Sequence, residues 1–323
     1  MSEVAKQWWP STLYEGGGDN EPDNGLGSLS FVWESVAEGE TPSLTIPVTC
    51  SDGLQYSTNG GKTWNDVVRG GAITAGIGDA GKRRINVRRR PSLEPVTGLY
   101  TSSSNDFESI PNQWILTGNG VTVSGNIMSL LGQGTELGDH AFSGIFANCT
   151  ALTGVSGLVL PAMTLSVRGY WQMFYGCTNI TNVPALPATA LAELCYGYMF
   201  AHNSNITTFP NLPAQTMVTD CYHGMFFGCN ALTGGGTISA KTLTTRCWRN
   251  MFRGCVALPS LSVISVTKIS GEDTLDNWLR DAGTAVGSTC TLYVRVTMAR
   301  EWKEFGDIPS NWQINAVGVP PGE

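Results

Sequence analysis

The alternation of apolar and polar positions changes rhythm along this chain. Leu29-Ser-Phe31-Val-Trp33 and Ser43-Leu-Thr-Ile-Pro-Val48 alternate in twos, the period of half-buried strands. Leu54-Gln-Tyr56 runs into Asn59-Gly60, a hairpin signal because both turn positions accept positive φ. Within Lys82–Arg90, Ile85 and Val87 would share the buried face of a strand. Val121–Leu130 reads as a strand and a turn.

Further on the rhythm lengthens. Phe146, Phe174, Phe200, Phe226 and Phe252 lie 28, 26, 26 and 26 residues apart. Ile145, Met173, Met199, Met225 and Met251 precede them, and Leu152, Ile180, Ile206, Leu232 and Leu258 follow six residues later. A fixed period of this size predicts stacked units, each covering the apolar face of its neighbour. The Met-Phe tract is expected to form a turn or short helix. The Leu-Thr-x-x-Pro-x-Leu-Pro tract is expected to form a short strand ended by a Pro turn. Trp278, 26 residues after Phe252, continues the period into a degenerate last copy, with a short helix expected from Asp273 to Asp281. Cys290–Val296 reads as a closing strand, and Ile308–Trp312 as the end of the fold.

These rhythms divide the 323 residues into five parts. Residues 1–28 form an acidic, Gly-rich leader or anchor arm. Residues 29–95 form a small β-sandwich-like domain, and 96–140 a junction and N-terminal cap. Residues 141–270 hold the repeats, and 271–323 the degenerate copy, C-terminal cap and tail. Trp8 and Trp9 are the apolar exception in the leader. They either pack on the next domain or anchor the chain to a partner.

Composition narrows the function. Charged residues make up 14% and net charge is −7, which argues against generic nucleic-acid binding. Residues 1–70 carry ten acidic against three basic side chains, while 82–90 carry six basic ones. The basic run is expected to be a strand with solvated arginines. No apolar run is long enough to span a membrane. The first ten residues lack the apolar core of a signal peptide, so with Met1 as the native start the chain is not exported by that route.

The nine cysteines fall mostly in columns. Cys195, Cys221 and Cys247 share one, and Cys177, Cys229 and Cys255 another, with Asn203 in the same slot. Columns of small residues point to buried, reduced thiols. The alternatives are disulfides or a metal site, for which the eight-residue Cys221–Cys229 gap is unsuited. His140, His202 and His223 stand at scattered repeat positions, and Glu193 and Asp220 are the sole acids between 141 and 270. No catalytic motif, cofactor motif or metal set emerges, so a non-enzymatic protein is expected.

One column is aromatic: Phe142, Tyr170, Tyr196, Tyr222 and Trp248. It reads either as a packed ladder between turns or as a stripe on which sugars or peptides stack. On the second reading Tyr170, Tyr196, Tyr222 and Trp248 are the ligand-binding residues.

Met173-Phe-Tyr-Gly-Cys-Thr-Asn-Ile-Thr181 and Met225-Phe-Phe-Gly-Cys-Asn-Ala-Leu-Thr233 resemble the BspA-type leucine-rich repeat family of bacterial and phage surface proteins. Pro184-Ala-Leu-Pro-Ala-Thr189, Gly125–Leu130, Tyr56–Trp64 and Ile308–Trp312 extend the resemblance over roughly 50–315. It implies a mainly β chain, a small β-domain followed by a solenoid of short strands and turns. It also implies adhesion to a host-surface glycan or protein. The first expectation is a phage virion protein, bound to other virion proteins through its leader and β-domain, with a homo-oligomer compatible with that role. The alternative is a bacterial cell-surface adhesin lacking its export segment.

Overall fold

The computed structural model describes residues 27–77, 82–100, 112–132, 134, 136–305 and 307–318. Among the described residues the chain is mainly strands, with one short α-helix and no closed barrel. Trp8 and Trp9 lie outside the described residues.

Strand β1 (Leu29–Trp33) buries Leu29, Phe31 and Trp33 on one face, as its alternation predicts. It is central in a seven-stranded sheet. On one side it pairs antiparallel with β2 (Arg83–Arg89), Phe31 opposite Ile85. On the other it pairs antiparallel with β3 (Val121–Asn126), Phe31 opposite Val123. Ile85 and Val87 are buried, but so is Arg89. Its guanidinium donates to the carbonyls of Glu94 and Asp52, so this arginine ties loops down rather than facing solvent.

The Ser57–Trp64 turn is closed by side chains. Ser57 Oγ accepts from the Gly61 N–H at 2.8 Å, and Asn59 Oδ1 accepts from the Thr63 N–H at 3.0 Å. A second sheet of three strands places Leu44 opposite both Ile73 and Leu116, all buried.

The repeat tract joins this core directly. Strand β4 (Leu152–Val159) adds to β3 in parallel, so residues from the junction and the first repeat complete the N-terminal sheet. Phe31, Trp114 and Phe146 meet at 6.0–6.5 Å. The first rung of the Phe ladder is therefore part of the sheet's own core.

In the repeats, the Met-Phe tract forms turns. Left-handed backbone recurs every fourth residue, at His140, Gly144 and Asn148, then at Arg168, Gln172 and Gly176, and so on through Arg246, Asn250 and Gly254. Helix cannot propagate through such positions. Alternate amides divide their work. Ser143, Ile145 and Ala147 donate back three residues, to His140, Phe142 and Gly144. Phe142, Gly144 and Phe146 donate to the next copy, at Gly169, Trp171 and Met173. The pattern repeats from Phe174 to Met199, Phe200 to Met225 and Phe226 to Met251 at 2.9 Å. Successive Phe rings stack at 5.5–5.6 Å, with interplanar angles of 24° or less.

The opposite side of each copy is extended. Thr208 pairs in parallel with Gly234, Leu212 with Ile238 and Thr216 with Thr242, each 26 residues on. These pieces are two residues long or single bridges, because prolines such as Pro210 and Pro213 interrupt them.

The last copy departs from expectation in two ways. Asp273–Asp281 is not helical: left-handed residues at Asp273, Asn277 and Asp281 continue the turns. Those positions lie 27, not 26, residues beyond Arg246, Asn250 and Gly254. Leu279 thus falls in the Phe column and Trp278 in the Met column, both fully buried. Helix α1 (Ala299–Phe305) sets Trp302 against Trp278 at 5.4 Å. Strand β6 (Cys290–Arg295) is the closing strand expected. It pairs in parallel with β5 (Ser260–Ser262) and β7 (Trp312–Val317), so the fold continues past Trp312.

Candidate functional site

The aromatic column does not form a surface. Tyr170, Tyr196 and Tyr222 are 1% exposed and Trp248 is fully buried. Phe142, Tyr170, Tyr196 and Tyr222 stack at 5.8–5.9 Å within 19° of parallel. These positions lie four residues before each Phe, so a backbone that turns every four residues points both columns inward. The reading of Tyr170, Tyr196, Tyr222 and Trp248 as a ligand stripe is therefore corrected to the packed ladder. Burial raises the phenols of Tyr170 and Tyr196.

The cysteine columns are interior too. All nine thiols are buried and free, and burial pushes Cys229 up to about 12. Cys177, Cys229 and Cys255 each donate Sγ–H to the carbonyl of the Phe one copy back, Phe146, Phe200 and Phe226, at 2.8–3.1 Å. Asn203 fits the same slot because its Nδ2 reaches Phe174 O at 2.8 Å.

What the turns show outward is a different row. Tyr175, His202 and Phe227 come from three consecutive copies. Their rings meet edge-to-face at 5.2 Å and 4.8 Å. Arg253, from the fourth, lies over Phe227 at 5.4 Å. His202 is exposed and the others are half-buried. Glycine clears the space between them: a Cβ on Gly228 would sit 3.0 Å from His202 Nδ1. Partial desolvation of the ring lowers His202, keeping its imidazole neutral near neutral pH.

Beside this row runs a polar line. Asp220 is 5% exposed. It accepts both Nε and Nη2 of Arg246, at 2.7–3.1 Å. Burial pushes Asp220 up, but hydrogen bonds from His223 and Arg246 and their charges outweigh it, so its carboxyl lies below the ordinary value. Ionised Asp220 takes the Nδ1–H of His223 at 2.9 Å. In the neutral imidazole Nε2 is then the acceptor, and Tyr198 Oη stands 3.0 Å from it. Asn250 Nδ2 approaches the same nitrogen at 3.4 Å. Burial chiefly raises the Tyr198 phenol, so at neutral pH the line ends in a protonated hydroxyl. It can orient and hydrogen-bond a ligand; it does not supply a phenolate.

None of this line stands out in the sequence, where Asp220 is isolated and His202 and His223 occupy different repeat columns. The signal is spacing across copies: Tyr198 is 25 residues before His223, and Arg246 is 26 after Asp220. At the far end a cavity of about 450 Å³ is bordered by Asp273, Asp276, Phe305 and Asp307. Asp276 there is held by Arg249 at 3.0 Å. Compared with family models, curated proteins and solved structures, the chain matches none.

Proposed function

We propose that this chain is a non-enzymatic structural protein of a phage virion surface that holds a host-surface glycan. In this reading the stacked copies are a solenoid of BspA-like leucine-rich repeats. The N-terminal sheet and leader attach it to other virion proteins, and the turn edge faces outward. The observation that carries the binding role is the row Tyr175–His202–Phe227, which crosses three copies with its rings partly open to solvent. Rings of this kind cover the apolar faces of sugars, and the Tyr198, Asn250 and His223 groups alongside offer hydrogen bonds to hydroxyls. The amide ladder beneath keeps the row preorganised, which lowers the ordering cost of binding.

A glycan array probed with the purified chain tests the reading. Binding should fall at least tenfold in the His202→Ala/Phe227→Ala double variant and stay unchanged in Tyr170→Phe, whose ring is interior. Absence of glycan binding refutes it. Mass spectrometry of purified particles tests the location; recovery of the chain from bacterial envelopes instead would favour a cell-surface adhesin.

A further inference from the structure

We infer that the sugar held by this row is acidic, its carboxylate taken by Arg253. This rests on the glycan reading above and adds the ligand's charge. The arginines around the row are mostly paired. Arg246 is bidentate on Asp220, Arg249 meets Asp276 at 3.0 Å, and Arg280 lies 3.8 Å from Asp281. Among the described residues Arg253 has no carboxylate within 4.0 Å. Its polar contact is Asn250 Oδ1 at 3.5 Å, and its guanidinium carbon lies 5.4 Å from the Phe227 ring centre.

That environment sets the arginine up for an anion. It is half-buried, so part of its hydration is already gone. One flank lies against a ring, which holds the guanidinium plane without satisfying its N–H donors. A planar fork with donors to spare matches a carboxylate in two parallel bonds. The Arg253 carbonyl also accepts the Gly228 N–H at 2.7 Å, which fixes its backbone one rung from Phe227. A carboxylated pyranose could then lay its apolar face on Phe227 and His202, with its carboxylate on Arg253 and a hydroxyl near Asn250.

The test uses the full-length chain and matched oligosaccharides: oligouronates and sialylated glycans, each beside its carboxyl-reduced form. Acidic members should bind about tenfold or more tightly than the reduced ones. Arg253→Gln should remove that difference, and Arg253→Lys should restore part of it. Thermal melts matching wild type would show that the variants fold. Equal binding of acid and reduced forms, or an unchanged preference in Arg253→Gln, overturns this inference and leaves the glycan reading standing. No binding to any glycan overturns both.

Discussion

Replacing Asn203 with Cys should make the protein more stable, although it exchanges two amide hydrogen bonds for one from a thiol. Asn203 is fully buried. Its Nδ2 donates to Phe174 O at 2.8 Å and to Phe200 O at 3.0 Å, while its Oδ1 has no partner. An orphaned buried carbonyl costs about 1–3 kcal/mol. Cys at this position would keep a donor to Phe174 O, as Cys177 and Cys229 do for Phe146 and Phe200. Because burial pushes Cys229 up to about 12, a thiol in this slot stays protonated and able to donate. The second amide bond, worth about 1 kcal/mol, is lost. Phe200 O is not orphaned by this, since Cys229 Sγ still donates to it at 3.1 Å. The balance is a gain of about 1 kcal/mol. Urea unfolding under reducing conditions should show it as a midpoint raised by about 0.3 M, for an m-value of about 3 kcal/mol/M. A lowered midpoint would refute the claim that this column is defined by one donor to the preceding Phe carbonyl.

Three further outcomes follow from the same geometry. Tyr170→Phe removes a buried hydroxyl with no hydrogen-bond partner and places a second Phe beside Phe142, so denaturation should show stability raised by about 1 kcal/mol. Gly224→Ala puts a Cβ 2.5 Å from Tyr198 Cε1 at a φ of +58°. It should cost about 1–2 kcal/mol, and NMR of the His223 ring should report displacement of Tyr198. Asp220→Asn should cost about 2 kcal/mol at pH 7. Since the folded Asp220 carboxyl lies below its unfolded value of about 3.9, its contribution is complete above that value and lost as pH falls through the folded one. The gap to wild type should therefore close below about pH 4 in urea titrations, and a constant gap down to pH 2 would contradict the assignment.

Much of the scaffold was legible because a stacked core repeats its demands. Each Phe must cover the next, so Phe146 to Phe252 keep a period, and the Met and Leu columns keep it with them. The β1 alternation was legible for the same reason: one face of a strand is core. The Asp273–Asp281 segment was not, because its polar residues fit a helix as well as they fit left-handed turns. The register of Trp278 was hidden as well, since a one-residue insertion moves a large side chain from one buried column to another without changing its burial.

The site was hidden by how its residues are distributed. Tyr198, Asp220, His223, Arg246 and Asn250 come from three copies, and no single copy carries more than two of them. The backbone nevertheless supplies a rule that a linear reading lacks. Left-handed positions fall six and two residues before each Phe and two after it, whereas the Tyr and Phe columns sit four apart between them. Counting four from a Phe therefore finds core, and counting two finds a corner. Asp220, Arg246, Tyr198, Asn250 and His202 all occupy such corners, and Tyr175, His223, Phe227 and Arg253 stand immediately beside one. The stacked amides that bury the aromatic ladder thus also fix which side chains are left at the edge, where the proposed glycan would meet them.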